Sequence, residues 1–120
     1  MSINKVILIG RLGKDPEVRN TPNAKVASFS VATSETFKDK SGHKKENTEW
    51  HNVVAWRGLA DIAEKYLHKG DQIYIEGRLK TRSWEANGQT KYITEVVADQ
   101  LVMLGSKTQA RQSTEDVPWI

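Results

Sequence analysis

The sequence predicts an all-β domain carrying one helix, in the order β-β-β-α-β-β, followed by a short polar tail. Three observations predict it. Five segments, at 3–12, 25–34, 48–57, 71–84 and 90–104, are rich in Val, Ile, Tyr and Trp and are bounded by Gly, Pro, Asn or Asp clusters, which is strand chemistry. One stretch, LADIAEKYLH, places Leu59, Ile62, Ala63, Tyr66 and Leu67 at helical spacing, with Gly70 as the expected C-cap. From Gly105 onward the apolar periodicity stops. A chain of 120 residues can bury one real core, so the reading is one domain at 1–104 and a flexible tail at 105–120. This element order matches the five-stranded OB barrel, in which a helix plugs the barrel between the third and fourth strands; its main competitor, an SH3-like barrel, lacks that helix.

The first strand, within INKVILIGRL, is apolar on both faces from Val6 to Ile9, as suits a strand covered on both sides. It runs into GRLGKD, which has the glycines and lysine of a phosphate loop but the wrong spacing: a Walker A loop has four residues between its glycines and a Ser or Thr after the Lys, where this chain has two and then Asp15. GRLGKD is therefore read as the bend after the first strand. DPEVRNTPNA connects to the second strand, and KDKSGHKKEN, between the second and third, reads as a long, mobile, lysine-rich loop. Asn87-Gly88, between Trp84 and Tyr92, signals a tight hairpin.

Alternation of side chains assigns faces. In QIYIEGRLKTRSW the odd positions Ile73, Ile75 and Leu79 suit the core, while the even positions are Tyr74, Glu76, Arg78, Lys80, Arg82 and Trp84. In EWHNVVAWRG, Trp50, Asn52, Val54 and Trp56 share one face and His51, Val53 and Ala55 the other; two tryptophans and a valine on one face suit a core as well as a surface. An aromatic in a half-buried strand is ordinarily packed inside. Trp84 is read differently, because its face also carries Arg78, Lys80 and Arg82, and three charges are not buried unpaired without a cost of several kcal/mol. A solvated basic face with exposed rings suits a flat, anionic ligand. Bases stack on aromatic rings whatever their identity while Lys and Arg neutralise the phosphates, which points to single-stranded nucleic acid.

Composition limits the alternatives. Eighteen Lys and Arg against 15 Asp and Glu leave a net charge of only +3, so the placement of charge and not its total carries the argument. The chain has no cysteine, which removes disulfides, thiolate metal sites and cysteine nucleophiles. His43, His51 and His68 lack ligand spacing, and the acids are scattered singly, so neither a metal site, a cofactor nor catalytic residues are expected and an enzyme is the weakest reading. His51 is placed at a packing or subunit contact. No apolar run approaches a membrane span, and a soluble, cytoplasmic, nucleoid-associated protein is expected. Two other readings remain at this point: an OB module for structured RNA or an oligosaccharide, and a purely architectural protein or assembly inhibitor, which would leave Arg82 and Trp84 without a purpose.

The blocks NKVILIGRLGKDPEVR, ATSETF, TEWHNVVAW, YLHKGDQIYIEGRLKTRSW and TEVVADQLVML resemble bacterial single-stranded DNA-binding proteins of the SSB family over essentially the whole domain. The resemblance implies single-strand binding through four aromatics, here Phe37 in SETF, Trp50 in TEWH, Trp56 in VVAW and Trp84 in KTRSW. Members often have Trp at the position of Phe37 and Phe at that of Trp56, and both swaps keep a stacking face. It also implies a homotetramer paired through the N-terminal strand. The tail ends in EDVPWI, where family members carry a longer linker and an acidic tip closing on Pro-Phe; by that likeness Glu115, Asp116, Val117, Pro118, Trp119 and Ile120 form a docking peptide for DNA replication, recombination and repair proteins.

Overall fold

The structure, a computed structural model, describes residues 1–105; the tail tip, Glu115 to Ile120, lies outside the described residues. Six strands and one helix follow in the order β1 (Val6–Leu12), β2 (Glu17–Asn20), β3 (Lys25–Lys38), β4 (Lys44–Trp56), α1 (Gly58–Tyr66), β5 (Gln72–Ala86) and β6 (Gln89–Gly105). Hydrogen bonding runs β1-β5-β6-β4-β3 and returns from β3 to β1, closing a five-stranded barrel, with β2 attached along β3. The barrel is antiparallel except where β4 meets β6, at Val53 opposite Val96 and Val54 opposite Val97. This is the OB arrangement the element order predicts.

The core follows from alternation. Val6, Leu8 and Leu12 of β1, Ala27, Phe29 and Val31 of β3, Val53 and Ala55 of β4, Ile73 and Ile75 of β5, and Val96 and Ala98 of β6 point inward. Helix α1 plugs one end with Ala60 and Ala63, and with Leu67 just past its last turn, the small alanines letting it sit close to the strands. Lys25 of β3 ties the helix down: its Nζ lies 2.8 Å from Glu64 Oε1 and 2.9 Å from Asp61 Oδ1. The hydrogen bond with Glu64 is the main reason the Lys25 ammonium is held above its ordinary pKa, and the bond from Lys25 holds the Asp61 carboxyl below its own. Asp71 is buried beneath the helix end, where its carboxylate accepts the His68 N–H at 2.9 Å.

Glycines sit where backbones nearly touch. A Cβ on Gly10 would strike the Ala32 carbonyl where β1 crosses onto β3, and one on Gly77 would strike the Val97 carbonyl where β6 accommodates Asp99 as an extra, unpaired residue. The hairpin turn is as the dipeptide signals: Asn87 and Gly88 have φ of 53° and 76°, and Ala86 pairs with Gln89 across them.

Several expectations are corrected. KDKSGHKKEN is not a long loop, because β3 and β4 continue in register until Lys38 pairs with Lys44, and the turn is held by Asp39, whose carboxylate accepts the N–H groups of Ser41 and His43. DPEVRNTPNA contains the short strand β2. The helix closes at Leu67, whose N–H bonds Ala63, so Gly70 is not its cap; with φ of 89° it forms the turn into Asp71 and donates to Leu12. Ile62 and Tyr66 lie at the edge of the helix stripe and stay exposed, as does Leu79, because β5 has left the barrel by that point. β1 is covered on one face only within this chain: Ile7 and Ile9 are open.

Candidate nucleic-acid interface

On the outer side of the barrel the even residues of β3, β4 and β5 meet the odd residues of β6. They line a groove of about 620 Å³ with Val54 and Trp56, Val26 and Ser28, Arg78, Lys80 and Arg82, and Glu95 and Val97, and the segment Arg19 to Pro22 forms one rim. The sequence left the Trp50–Trp56 face open between core and surface; the structure assigns it outward. Val54 is the buried floor, while Trp56 is 42% and Trp50 59% exposed. On the same face of β4, Trp50 lies six residues from Trp56, about 20 Å along an extended strand.

Trp84 is 41% exposed and does not line the groove itself. Arg82 joins it to the groove, with the guanidinium carbon 5.4 Å from the centre of the indole, within cation–π range. Phe37 is exposed at the far end of β3 opposite Lys45, which places it on the other face of the β3–β4 hairpin from Trp50 and Trp56. The structure thus brings Trp56, Arg78, Lys80, Arg82 and Trp84 together, extends their surface to Trp50, and leaves Phe37 apart within one chain.

The basic row is not a row of bare cations. Arg78 Nη1 lies 3.0 Å from Asp99 Oδ1, and Arg82 donates from Nε to Glu95 Oε1 at 2.9 Å and from Nη2 to Oε2 at 3.4 Å. Among the described residues Lys80 has no such acid partner. These acids are absent from the sequence reading although a signal for one of them exists: counting outward from the Asn87-Gly88 turn sets Lys80 opposite Glu95 and Arg82 opposite Ile93, one step diagonal to Glu95. Gly13, which the sequence marks only as part of a bend, lies directly beneath the Trp50 ring.

Elsewhere on the surface, Ile7 and Ile9 stand beside Tyr74, itself opposite Val102, in an apolar patch edged by the Lys5–Glu76 ion pair at 2.9 Å. The hydrogen bond with Glu76 raises the Lys5 pKa above its usual value. His51 is half-buried on the inward face, where Nε2 lies 2.8 Å from Thr33 Oγ1.

Comparison with known proteins agrees with this architecture. Residues 3–104 match the single-strand binding protein family. The chain is 57% identical over 108 residues to single-stranded DNA-binding protein 1 of Chlorobaculum tepidum, covering 88% of this chain and 67% of that one. Among solved structures it resembles Plasmodium falciparum SSB in complex with ssDNA, with TM-score 0.77, 39% identity, and 87% and 96% of the two chains covered. It also resembles a deletion mutant of the single-stranded DNA binding protein from Thermus aquaticus, with TM-score 0.75, 33% identity, and 88% of this chain and 52% of that one covered. With a family match spanning nearly all the described residues and a relative more than half identical, the chain belongs to the single-strand binding protein family.

Proposed function

We propose that this protein binds single-stranded DNA with little regard to sequence and performs no catalysis. The observation that carries the reading is that Trp56, Arg78, Lys80 and Arg82 line one open groove, which Arg82 links to Trp84. Exposed rings offer a face to any base, and the cations between them match phosphates spaced along a strand. Trp50, and Phe37 by family likeness, extend the path beyond the groove. The solved Plasmodium relative in complex with ssDNA supports the same ligand class.

The apolar patch of Ile7, Ile9, Tyr74 and Val102 supports assembly, proposed here as a homotetramer, which would set several platforms side by side for one strand to wrap. The proposed setting is the cytoplasm, on DNA exposed during replication, recombination and repair, with partner proteins recruited through Glu115, Asp116, Val117, Pro118, Trp119 and Ile120. The test is binding of oligo(dT) and of a duplex of equal length at two salt concentrations. Single-strand binding persists at the higher salt while duplex binding is weak throughout; equal affinity for the two would defeat the proposal.

A further inference from the structure

We infer that Glu95 is a positioning residue of the DNA site: it holds the Arg82 guanidinium against the Trp84 ring, so that arginine and indole meet a nucleotide as one prearranged platform. The inference rests on the single-stranded DNA reading above. Lys80 stands directly across from Glu95 in the β5–β6 pairing, and Arg82 is one step diagonal, yet both carboxylate oxygens go to Arg82. That side-on pairing fixes the plane of the guanidinium, and the plane is what a base or an indole can stack on. It consumes the Nε hydrogen and one Nη2 hydrogen, leaving three of the five N–H donors for a phosphate or a base edge.

A carboxylate in a site for a polyanion raises an objection, since it lowers the local positive potential. Burial and screening decide against it. The Glu95 side chain is 12% exposed and that of Arg82 54%, so the acid lies in the floor and the arginine covers it. The repulsion that reaches a phosphate acts through solvent and fades with salt, over about 8 Å at physiological ionic strength. Ordering of the arginine is not screened in this way: a side chain with many rotamers that is fixed before DNA arrives does not have to be fixed by DNA.

The experiment is a double-mutant cycle on the full chain, with oligo(dT) affinity measured for wild type, Glu95→Gln, Arg82→Ala and the double variant at two salt concentrations. Glu95→Gln is expected to weaken binding roughly tenfold in the wild-type background, as coupled neighbours do, and to cause no loss in the Arg82→Ala background, where removing the uncovered acid leaves affinity equal or slightly higher. A loss of equal size in both backgrounds would assign Glu95 a role independent of Arg82, and tighter binding by Glu95→Gln in the wild-type background would make the acid a competitor of phosphate; either result overturns the inference. Arg82→Lys gives a second readout that leaves Glu95 intact. It keeps the charge but loses the planar fork, so it should bind as weakly as Glu95→Gln, and wild-type affinity would contradict the platform. Failure of the wild type to bind oligo(dT) would instead defeat the DNA reading itself.

Discussion

Gly13 and Trp50 are in direct contact across the barrel surface. A Cβ built on Gly13 would lie 2.5 Å from Cζ3 and 2.8 Å from Cη2 of the indole, so the ring rests where only a hydrogen fits. Gly13 is fixed in turn by its N–H, which donates to the Ser30 carbonyl at 3.0 Å. The bend after β1 therefore sets the tilt of an aromatic on β4. Gly13→Ala should swing the exposed ring with little effect on the melting temperature and weaken oligo(dT) binding, and the loss should vanish in a Trp50→Ala background. An equal loss in that background would mean that Gly13 matters through the backbone.

Stacking predicts a graded set of losses. Trp50→Ala and Trp84→Ala should each weaken oligo(dT) binding by about 1 to 3 kcal/mol while the circular dichroism spectrum stays that of the folded barrel. Phe37, on the other face of its hairpin, should cost less when truncated. If the tryptophan variants unfold, those rings hold the fold and the surface assignment is wrong.

The ion pairs sort the cations. Each phosphate neutralised on a single strand contributes about 0.7 to the slope of log K against log salt. Lys80→Ala should reduce the slope by about that amount. Arg78→Ala and Arg82→Ala should reduce it less, because Asp99 and Glu95 already balance part of each charge. Equal reductions would indicate that both arginines leave their acids when DNA binds.

Alternation along β5 made the outward placement of Arg78, Lys80, Arg82 and Trp84 legible, and the Asn87-Gly88 dipeptide marked the turn that follows. The five barrel strands were legible from their β-branched and aromatic content between turn residues, and the helix from its period. Elsewhere the physical signal was missing. The outer ends of β3 and β4, Glu35–Lys38 and Lys44–Asn47, have solvent on both faces of the hairpin, so no apolar alternation marks them as strand and their lysines read as loop. β2 is a short edge strand with only Val18 packed against the core, too little for a periodic pattern. Leu79 kept core parity after β5 had left the barrel, since parity records which face a residue is on and not whether that face is covered. Gly13 beneath Trp50 joins residues distant in sequence, and no local pattern encodes that contact.

The tail supports a separate prediction. Glu115 and Asp116 repel phosphates, while Pro118, Trp119 and Ile120 gain from burial against another surface, with Pro118 limiting the conformations lost on docking. Deleting Val117 to Ile120 should keep or slightly raise oligo(dT) affinity and reduce retention of purified helicase, nuclease or clamp-loader subunits. Collapse of DNA binding with unchanged retention would place the tip in the DNA site.

The most direct test of the central claim is a titration of intrinsic tryptophan fluorescence with oligo(dT), on wild type and on Trp50→Phe, Trp56→Phe and Trp84→Phe. If these three rings form one stacking surface, saturating DNA quenches most of the emission, and each substitution removes a share of the quenched signal while Trp119 supplies the unquenched remainder. Saturable binding that leaves the emission of Trp50, Trp56 and Trp84 unchanged would contradict the account.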